Sequence, residues 1–224
     1  ARASQGVGNL TDDLVVVVMI DDFRHVSATI RLGAQAAASI IMIYGTDLYL
    51  HSPLPELGVQ NLAPEIAIPI TVIATIGLVN AFNMIDGIDG LAGSITLVAI
   101  LMVVLGQSLF GYLQGTASLM VFVSAVLGYL AVNLTISSSK KVFLGDAGSL
   151  LLGFVVGWTL IITTQSPKPS VPTTFVIWTV ALPAYDILAV MIRRVLKGKS
   201  PFHADRTHLH HICLRAGLNG RQAL

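Results

Sequence analysis

Six apolar runs follow one another along this chain of 224 residues, and several of them are shorter than the roughly 20 residues of a membrane-spanning helix. Only 11% of the residues are charged and 54% are apolar, whereas a soluble domain carries about 25% charged residues. The runs and the composition together predict an all-α fold, a polytopic transmembrane helix bundle. The predicted spans are about Leu32–Leu50, Ile66–Val79, Leu91–Leu105, Ala117–Ile136, Leu150–Ile162 and Val171–Ile192.

Basic residues mark one side of the predicted bundle. When the connections between the runs alternate across the bilayer, only Lys168 falls on the far side, and Arg2 near the start is unassigned. The positive-inside rule therefore places the basic side, and with it the loops of the predicted active site, in the cytoplasm. The net charge of +1 is too small to indicate a nucleic-acid partner. The residues on the basic side are Arg24, Arg31, Lys140, Lys141, Arg193, Arg194, Lys197, Lys199, Arg206, Arg215 and Arg221.

Two carboxylates, Asp86 and Asp89, stand between the second and third apolar runs. A charge near a bilayer is costly unless it is paired, solvated or bound to a metal, and residues 80–93 contain no cation. Asn83, Asp86 and Asp89 are spaced by three, which on a helix would keep them on one broad face. Oxygen ligands without His or Cys favour Mg²⁺ or Mn²⁺. A hydrated helix end with capping carboxylates is the alternative.

A third carboxylate, Asp146, lies between two glycines at the start of the fifth run, in the sequence Val142-Phe-Leu-Gly-Asp-Ala-Gly-Ser149. It could cap the helix that follows. Mg²⁺ usually takes only one or two protein carboxylates and completes its shell with water and phosphate oxygens. Asp146 with either Asp86 or Asp89 would therefore suffice for a metal site.

Further polar residues fall on the same side. Asp21-Asp22 could supply a base or metal ligands, or could form salt bridges with Arg24 and Arg31. Asp186 lies within the last run, and we expect it to bond to backbone or to another helix near the site. Arginine together with histidine suits a diphosphate or a nucleotide sugar. Those residues, in the segment Pro201–His211, are Arg206, His208, His210 and His211.

Four polar segments follow one another on the basic side: Asp21-Asp22, residues 80–93, Val142–Ser149 and Pro201–His211. In this order they resemble the segments of the polyprenyl-phosphate N-acetylhexosamine-1-phosphate transferases, and the resemblance covers roughly residues 15–224. The nearest branch uses undecaprenyl phosphate and N-acetylglucosamine. The resemblance implies a multi-pass protein of the bacterial cytoplasmic (inner) membrane, with Mg²⁺ as cofactor. The implied reaction moves N-acetylglucosamine 1-phosphate from UDP-N-acetylglucosamine to undecaprenyl phosphate and releases UMP, as the first step of a cell-surface polysaccharide such as O-antigen. The implied partners are the UDP-N-acetylhexosamine, undecaprenyl phosphate and membrane lipid, and a homodimer is left open.

The resemblance also assigns roles residue by residue. Asp146 matches the Mg²⁺-binding aspartate of the family, and Asp86 and Asp89 match a catalytic or metal-linked pair, with Asn83 beside them. Asp21 and Asp22 match an earlier acidic pair with a catalytic role. The residues implied to bind the nucleotide sugar are Asn83, Arg206, His208, His210 and His211.

The chain departs from the family pattern in two ways. After Asp21-Asp22 the order Phe-Arg-His places His25 where close relatives have a carboxylate. The chain also begins with Ala and lacks the family's first and last helices, so we expect a single transferase domain over residues 1–224, shortened at both ends.

Two other functions fit parts of the pattern. A phospho-N-acetylmuramoyl-pentapeptide transferase is the alternative within the enzyme class, but the Pro-Phe-x-x-Asp-Arg run at Pro201–Arg206 favours the N-acetylhexosamine branch. A multi-pass transporter is the alternative from another class. Transport sites lie near the middle of the membrane on broken helices, whereas the polar segments here are predicted at one face.

Overall fold

The computed structural model describes residues 28–110, 115–134, 142–166, 168–169, 171–200 and 208–224. These residues form α-helices with one short 3₁₀ turn, Pro55–Leu57, and the predicted all-α, polytopic fold is confirmed. The helices are α1 Ala28–Thr46, α2 Pro64–Ile85, α3 Leu91–Leu109, α4 Thr116–Asn133, α5 Gly145–Gln165, α6 Thr173–Thr179, α7 Ala181–Leu196, α8 Leu209–Arg215 and α9 Gly220–Ala223.

Four of these helices, α2 to α5, are long and apolar enough to cross a membrane. Each of α2, α3 and α5 is longer than its predicted span, and the extra turns of α2 and α5 carry the polar residues of the site. The first predicted span also forms a helix, α1, but α1 is not among the four.

The last predicted span, Val171–Ile192, is not one continuous helix. It forms α6 and α7, which meet at Val180 with a bend of 72°. The physical reason is Pro183, which has no N–H to donate to the carbonyl of Thr179 one turn earlier. The bend turns α7 toward α2, against which it packs.

The core forms where α2, α3 and α5 pack together. Most of α5 is buried, whereas α4 lies at the periphery with much of its surface exposed. At Gly153 of α5 a Cβ atom would lie 2.9 Å from the Cα of Val79 in α2, so the two backbones touch at a residue without a side chain. Small residues commonly permit such close contacts between membrane helices.

Hydrogen bonds define two opposite ends of the bundle. At one end Gln165, the last residue of α5, binds the backbone of Ser52 through both atoms of its amide, at 2.9 and 3.0 Å. Near that end, Glu56 accepts a 3.0 Å hydrogen bond from the first backbone N–H of α6 at Thr173. The other end gathers the start of α1, the end of α2 and the start of α5, as the predicted alternation of the connections requires.

Candidate active site

Asp146 is the centre of a polar cluster contributed by three helices. It lies in the first turn of α5, where the helix dipole favours a negative charge. Its carboxylate accepts hydrogen bonds from Nη1 of Arg31 at 3.5 Å and from Nδ2 of Asn83 at 3.3 Å. The side chain is 65% exposed, so it remains open to a ligand. Leu144 precedes the helix and no side chain caps it, so the structure does not support a capping role for Asp146.

Asn83 joins α2 to the start of α5. Its Nδ2 also donates to Oγ of Ser149 at 2.9 Å, and Ser149 is fully buried. Ser149 in turn donates to the backbone carbonyl of Asp146 at 3.0 Å. Because Asn83 is held on two sides, its position relative to Asp146 is fixed by the packing of α2 on α5.

Asp86 follows the last residue of α2 and does not continue the helix. Its φ and ψ of −74° and 45° leave the helical region, and Gly90 adopts a left-handed φ of 78° before α3 starts. The expectation that Asn83, Asp86 and Asp89 lie on one helical face is therefore wrong. Glycines at 87 and 90 weaken a helix and permit a tight turn, so the two aspartates lie in a loop at the helix ends.

The carboxylates of this loop approach that of Asp146. Burial, which is the largest cause, and the neighbouring charges of Asp146 and Asp89 together raise the pKa of Asp86 to about 6. The negative charges of Asp146 and Asp89 therefore disfavour the ionisation of Asp86. Groups whose pKa lies near neutral pH because of burial and like charges are typical of functional sites.

The donor set fits a hard divalent cation. The charges of Asp146 and Asp89 act on Asp86 at these helix ends, and a positive charge would offset that repulsion. Within the described part of the chain, no group of three or more His, Cys, Asp or Glu side chains is arranged so that it could hold a metal ion. Mg²⁺ commonly takes only one or two protein carboxylates and completes its shell with water and phosphate oxygens. The predicted Mg²⁺ and its ligands stay a prediction.

The histidine segment contacts the aspartate loop directly. His210 of α8 is buried, and a Cβ atom on Gly87 would lie only 2.2 Å from its Nε2. The ring of His210 therefore rests on the backbone beside Asp86. Burial lowers the pKa of His210, the charges of His211 and His208 lower it further, and Asp186 opposes them.

The three predicted histidines lie side by side. The ring centroids of His210 and His211 are 4.1 Å apart, and the rings of His208 and His210 stack at 6.1 Å with an angle of 10°. His208 precedes the first residue of α8 and bonds to Asp186 of α7. The sequence-based expectation that Asp186 bonds to backbone or to a neighbouring segment near the site is confirmed, since it accepts the N–H of Leu209.

An apolar cavity of about 370 Å³ opens beside His210. It lies between α3, the junction of α6 and α7, and the two short helices α8 and α9. Its lining is mainly hydrocarbon, and Trp178 at the junction is 71% exposed. The lining residues that matter for the site are Ile85, Ile95, Val98, Trp178, Leu182 and His210.

Three predicted site residues, Asp21, Asp22 and Arg206, lie outside the described residues. The structure brings together Asn83, Asp86, Asp89 and Asp146, and it places His210 against the same loop. It adds Arg31 and Ser149 as direct neighbours of this group. The pattern of basic residues drew attention to Arg31, but its bond to Asp146 depends on helix packing that no local spacing encodes.

Comparison with known proteins gives consistent matches. The model of a family described as Glycosyl transferase family 4 matches residues 11–164. The chain is also similar to proteins named undecaprenyl-phosphate alpha-N-acetylglucosaminyl 1-phosphate transferase. The one from Escherichia coli (strain K12) is 39% identical over 216 residues, which cover 94% of this chain and 58% of that protein. The one from Haemophilus influenzae is 40% identical over 213 residues, covering 94% and 60%, and the one from Yersinia pestis 36% over 214 residues, covering 94% and 58%. The chain thus spans about three fifths of the length of these relatives.

Proposed function

This chain belongs to glycosyl transferase family 4, and from that membership we propose that it transfers N-acetylglucosamine 1-phosphate from UDP-N-acetylglucosamine to undecaprenyl phosphate and releases UMP. The observation that carries the proposal is the meeting of Asp146, Asn83 and the Asp86 loop with the histidine segment. Acidic side chains and a histidine segment at one end of a membrane bundle suit a diphosphate donor and a lipid acceptor. The names of the relatives support undecaprenyl phosphate as the acceptor and N-acetylglucosaminyl 1-phosphate as the transferred group.

The chain's own residues would bind and orient both substrates. Asp146 with Asp86 or Asp89 would hold Mg²⁺, with Mn²⁺ as a substitute, and Asn83 would orient Asp146 through its hydrogen bond. When bound, the cation would supply positive charge to offset the repulsion between two anionic substrates. Arg31 beside Asp146 adds a fixed positive charge to the same end of the bundle.

The chemical step needs little help from a base. A phosphomonoester has a second pKa of about 6, so undecaprenyl phosphate is largely dianionic at neutral pH. We propose that its oxygen attacks the sugar-proximal phosphorus in line. A new P–O bond then joins the two phosphates, and the bond to the bridging oxygen breaks as UMP leaves with its electron pair. Asp21, with Asp22 beside it, would orient the acceptor or take a residual proton.

The histidine segment would bind the nucleotide end of the donor. His208, His210 and His211 lie side by side, and in this proposal Arg206 from the same segment contacts the diphosphate. The apolar cavity beside His210 offers a surface for the part of the isoprenoid chain nearest the phosphate. Both substrates would then meet at the loop that carries Asp86 and Asp89.

The cellular setting follows from the same proposal. The four spanning helices make this a multi-pass membrane protein. We place it in the bacterial inner membrane with the Asp146 end in the cytoplasm, where UDP-sugars are made. The product would be the first intermediate of a surface polysaccharide. The proposal includes a homodimer as the assembly.

Release of UMP by the intact enzyme in lipid vesicles tests the proposal. We expect UMP only when undecaprenyl phosphate and UDP-N-acetylglucosamine are both present, and none with UDP-N-acetylmuramoyl-pentapeptide. Asp146→Asn should lower the rate by about 10²–10³-fold, because it removes a carboxylate that would hold the cation beside the reacting phosphates. Asp47→Asn is a matched control, since Asp47 lies at the end of α1 away from the site.

Two results would contradict the proposal. Near-normal activity of Asp146→Asn would show that Asp146 is not part of the active site. Exchange of labelled UMP into UDP-N-acetylglucosamine without any lipid acceptor would instead favour a covalent sugar-phosphate enzyme over direct attack.

A further inference from the structure

We propose that Asp186 is a positioning residue for the nucleotide-sugar site, which it orients through His208 and the start of α8. This inference rests on the proposed function of the histidine segment. The sequence predicted that Asp186 bonds to backbone or to another helix near the site, and the structure shows which atoms it contacts.

Both carboxylate oxygens of Asp186 hold the same short segment. Oδ1 accepts a 2.8 Å hydrogen bond from the backbone N–H of Leu209, the first residue of α8. Oδ2 accepts a 2.9 Å hydrogen bond from Nδ1 of His208. The side chains of Asp186 and His208 are only 8% and 6% exposed. Hydrogen bonds to a buried carboxylate are strong, and losing one leaves a costly unpaired group.

The contact with Oδ2 also determines which nitrogen of His208 carries a proton. An ionised carboxylate can only accept, so Nδ1 must be the donor. The other ring nitrogen, Nε2, is then the one left for further contacts. A hydrogen bond to one ring nitrogen commonly sets the chemical role of the other. Asp186 therefore fixes both the orientation of the ring and its hydrogen-bonding character.

The ring of His208 connects Asp186 to the loop that carries Asp86 and Asp89. It stacks on His210 with the two ring planes 10° apart. His210 in turn rests on Gly87, next to Asp86. Nδ1 of His210 is buried and has no hydrogen-bond partner among the described residues. Through His208, Asp186 on α7 thereby positions the ring of His210, which contacts the aspartate loop.

The bend between α6 and α7 is what allows this contact. Asp186 lies in the second turn of α7, just after the 72° change of direction. Because His208 and Leu209 bond to Asp186 while His210 rests on Gly87, the carboxylate lies on the same side of the bundle as the aspartate loop. A carboxylate within an apolar segment is costly unless it is paired or hydrogen-bonded. Here both of its oxygens accept hydrogen bonds from the histidine segment.

Steady-state kinetics of Asp186→Asn in the intact enzyme test the proposal. Asparagine keeps an oxygen for the N–H of Leu209 but presents an amide NH₂ to His208, so the ring must accept at Nδ1 and its tautomer reverses. We expect the KM for UDP-N-acetylglucosamine to rise about tenfold, as when the supporting partner of a functional histidine is removed. The KM for undecaprenyl phosphate should rise less than the donor KM, because most of the cavity beside His210 is lined by residues outside the histidine segment.

Tyr185→Phe provides the matched control, because Tyr185 is the preceding residue and is 58% exposed. Its kinetic constants should equal those of the wild type. A second test repeats Asp186→Asn in a His208→Gln background. If Asp186 acts through His208, the added substitution should change the donor KM by less than about twofold there.

Three outcomes decide between the explanations. A uniform fall in kcat with both KM values unchanged would mean that Asp186 only supports folding, and it would overturn the proposal. The same tenfold change of the donor KM in both backgrounds would also overturn it. A wild-type enzyme that releases no UMP under these conditions would overturn the proposed function itself, and this inference with it.

Discussion

At the scale of single residues, the three carboxylates of the site differ in their surroundings. Asp146 is mostly exposed and is held by Arg31 and Asn83. Asp86 is more enclosed, and its pKa is raised by burial and by two like charges. Chemically identical groups can therefore have different tasks, because environment separates their affinities for protons and for cations.

The raised pKa of Asp86 predicts a pH-dependent affinity for divalent cations. Below about pH 6 the carboxyl becomes protonated and loses its negative charge, so cation binding should weaken as the pH falls. The acceptor phosphate also titrates at about pH 6, so the measurement is Mn²⁺ binding by electron paramagnetic resonance without acceptor. We expect about a tenfold loss of affinity per pH unit below the pKa of Asp86 if one proton competes with one cation.

The matching variant is Asp86→Asn, which should bind Mn²⁺ weakly and with little dependence on pH over the same range. If the wild type binds equally well at about pH 5 and 7, or if Asp86→Asn keeps the full dependence, Asp86 does not control the site.

Gly87 provides a second prediction at this scale. A Cβ atom at this position would lie 2.2 Å from Nε2 of His210, so Gly87→Ala must displace the ring. Forcing extra atoms into a packed contact costs about 1–3 kcal/mol. Because the displaced ring belongs to the proposed nucleotide-sugar site, we expect the donor KM to rise. Kinetic measurement against Gly77→Ala provides the comparison, because a Cβ on Gly77 meets nothing within 4 Å. An equal effect of the two substitutions would argue against contact between His210 and the loop.

At the scale of helices, the site depends on how closely α2 and α5 approach each other. Asn83 lies in the last turn of α2 and Asp146 in the first turn of α5. Their hydrogen bond forms because the helices touch at Gly153, where a side chain would collide with the backbone of Val79. The geometry of the cluster is therefore set by a packing contact some turns away from it.

Gly153→Ala should accordingly impair both stability and activity. The new Cβ would lie 2.9 Å from Cα of Val79 and from Cβ of Phe82, and a backbone atom cannot move aside as a flexible side chain can. We expect a cost of about 1–3 kcal/mol in thermal unfolding and a lower rate of UMP release. Gly128→Ala in α4 meets nothing within 4 Å and should change neither quantity by much. Unchanged stability of Gly153→Ala would mean that α2 and α5 do not touch there.

At the scale of the whole molecule, apolar patterning predicted the helices and their alternation, because bilayer thickness fixes the length of a span. The spacing of the polar residues also identified the aspartates and histidines as candidate site residues. It was wrong about the helical face of Asp86 and Asp89, where glycines end the helix, and it missed the break before Pro183. The partners of Arg31 and Asp186 could not be predicted, since each lies on a distant segment that only packing brings near.

The orientation of the molecule in the membrane is the remaining large-scale prediction. Basic residues predict that the Asp146 end faces the cytoplasm. Cys213 is the only cysteine in the sequence, so a Cys213→Ser background accepts single reporter cysteines. Lys168→Cys, exposed at the far end, should react with a membrane-impermeant maleimide in spheroplasts, whereas Lys199→Cys, exposed after α7, should react only in inside-out vesicles. The reverse pattern would place the site outside the cell, where UDP-sugars are absent, and would contradict both the orientation and the proposed donor.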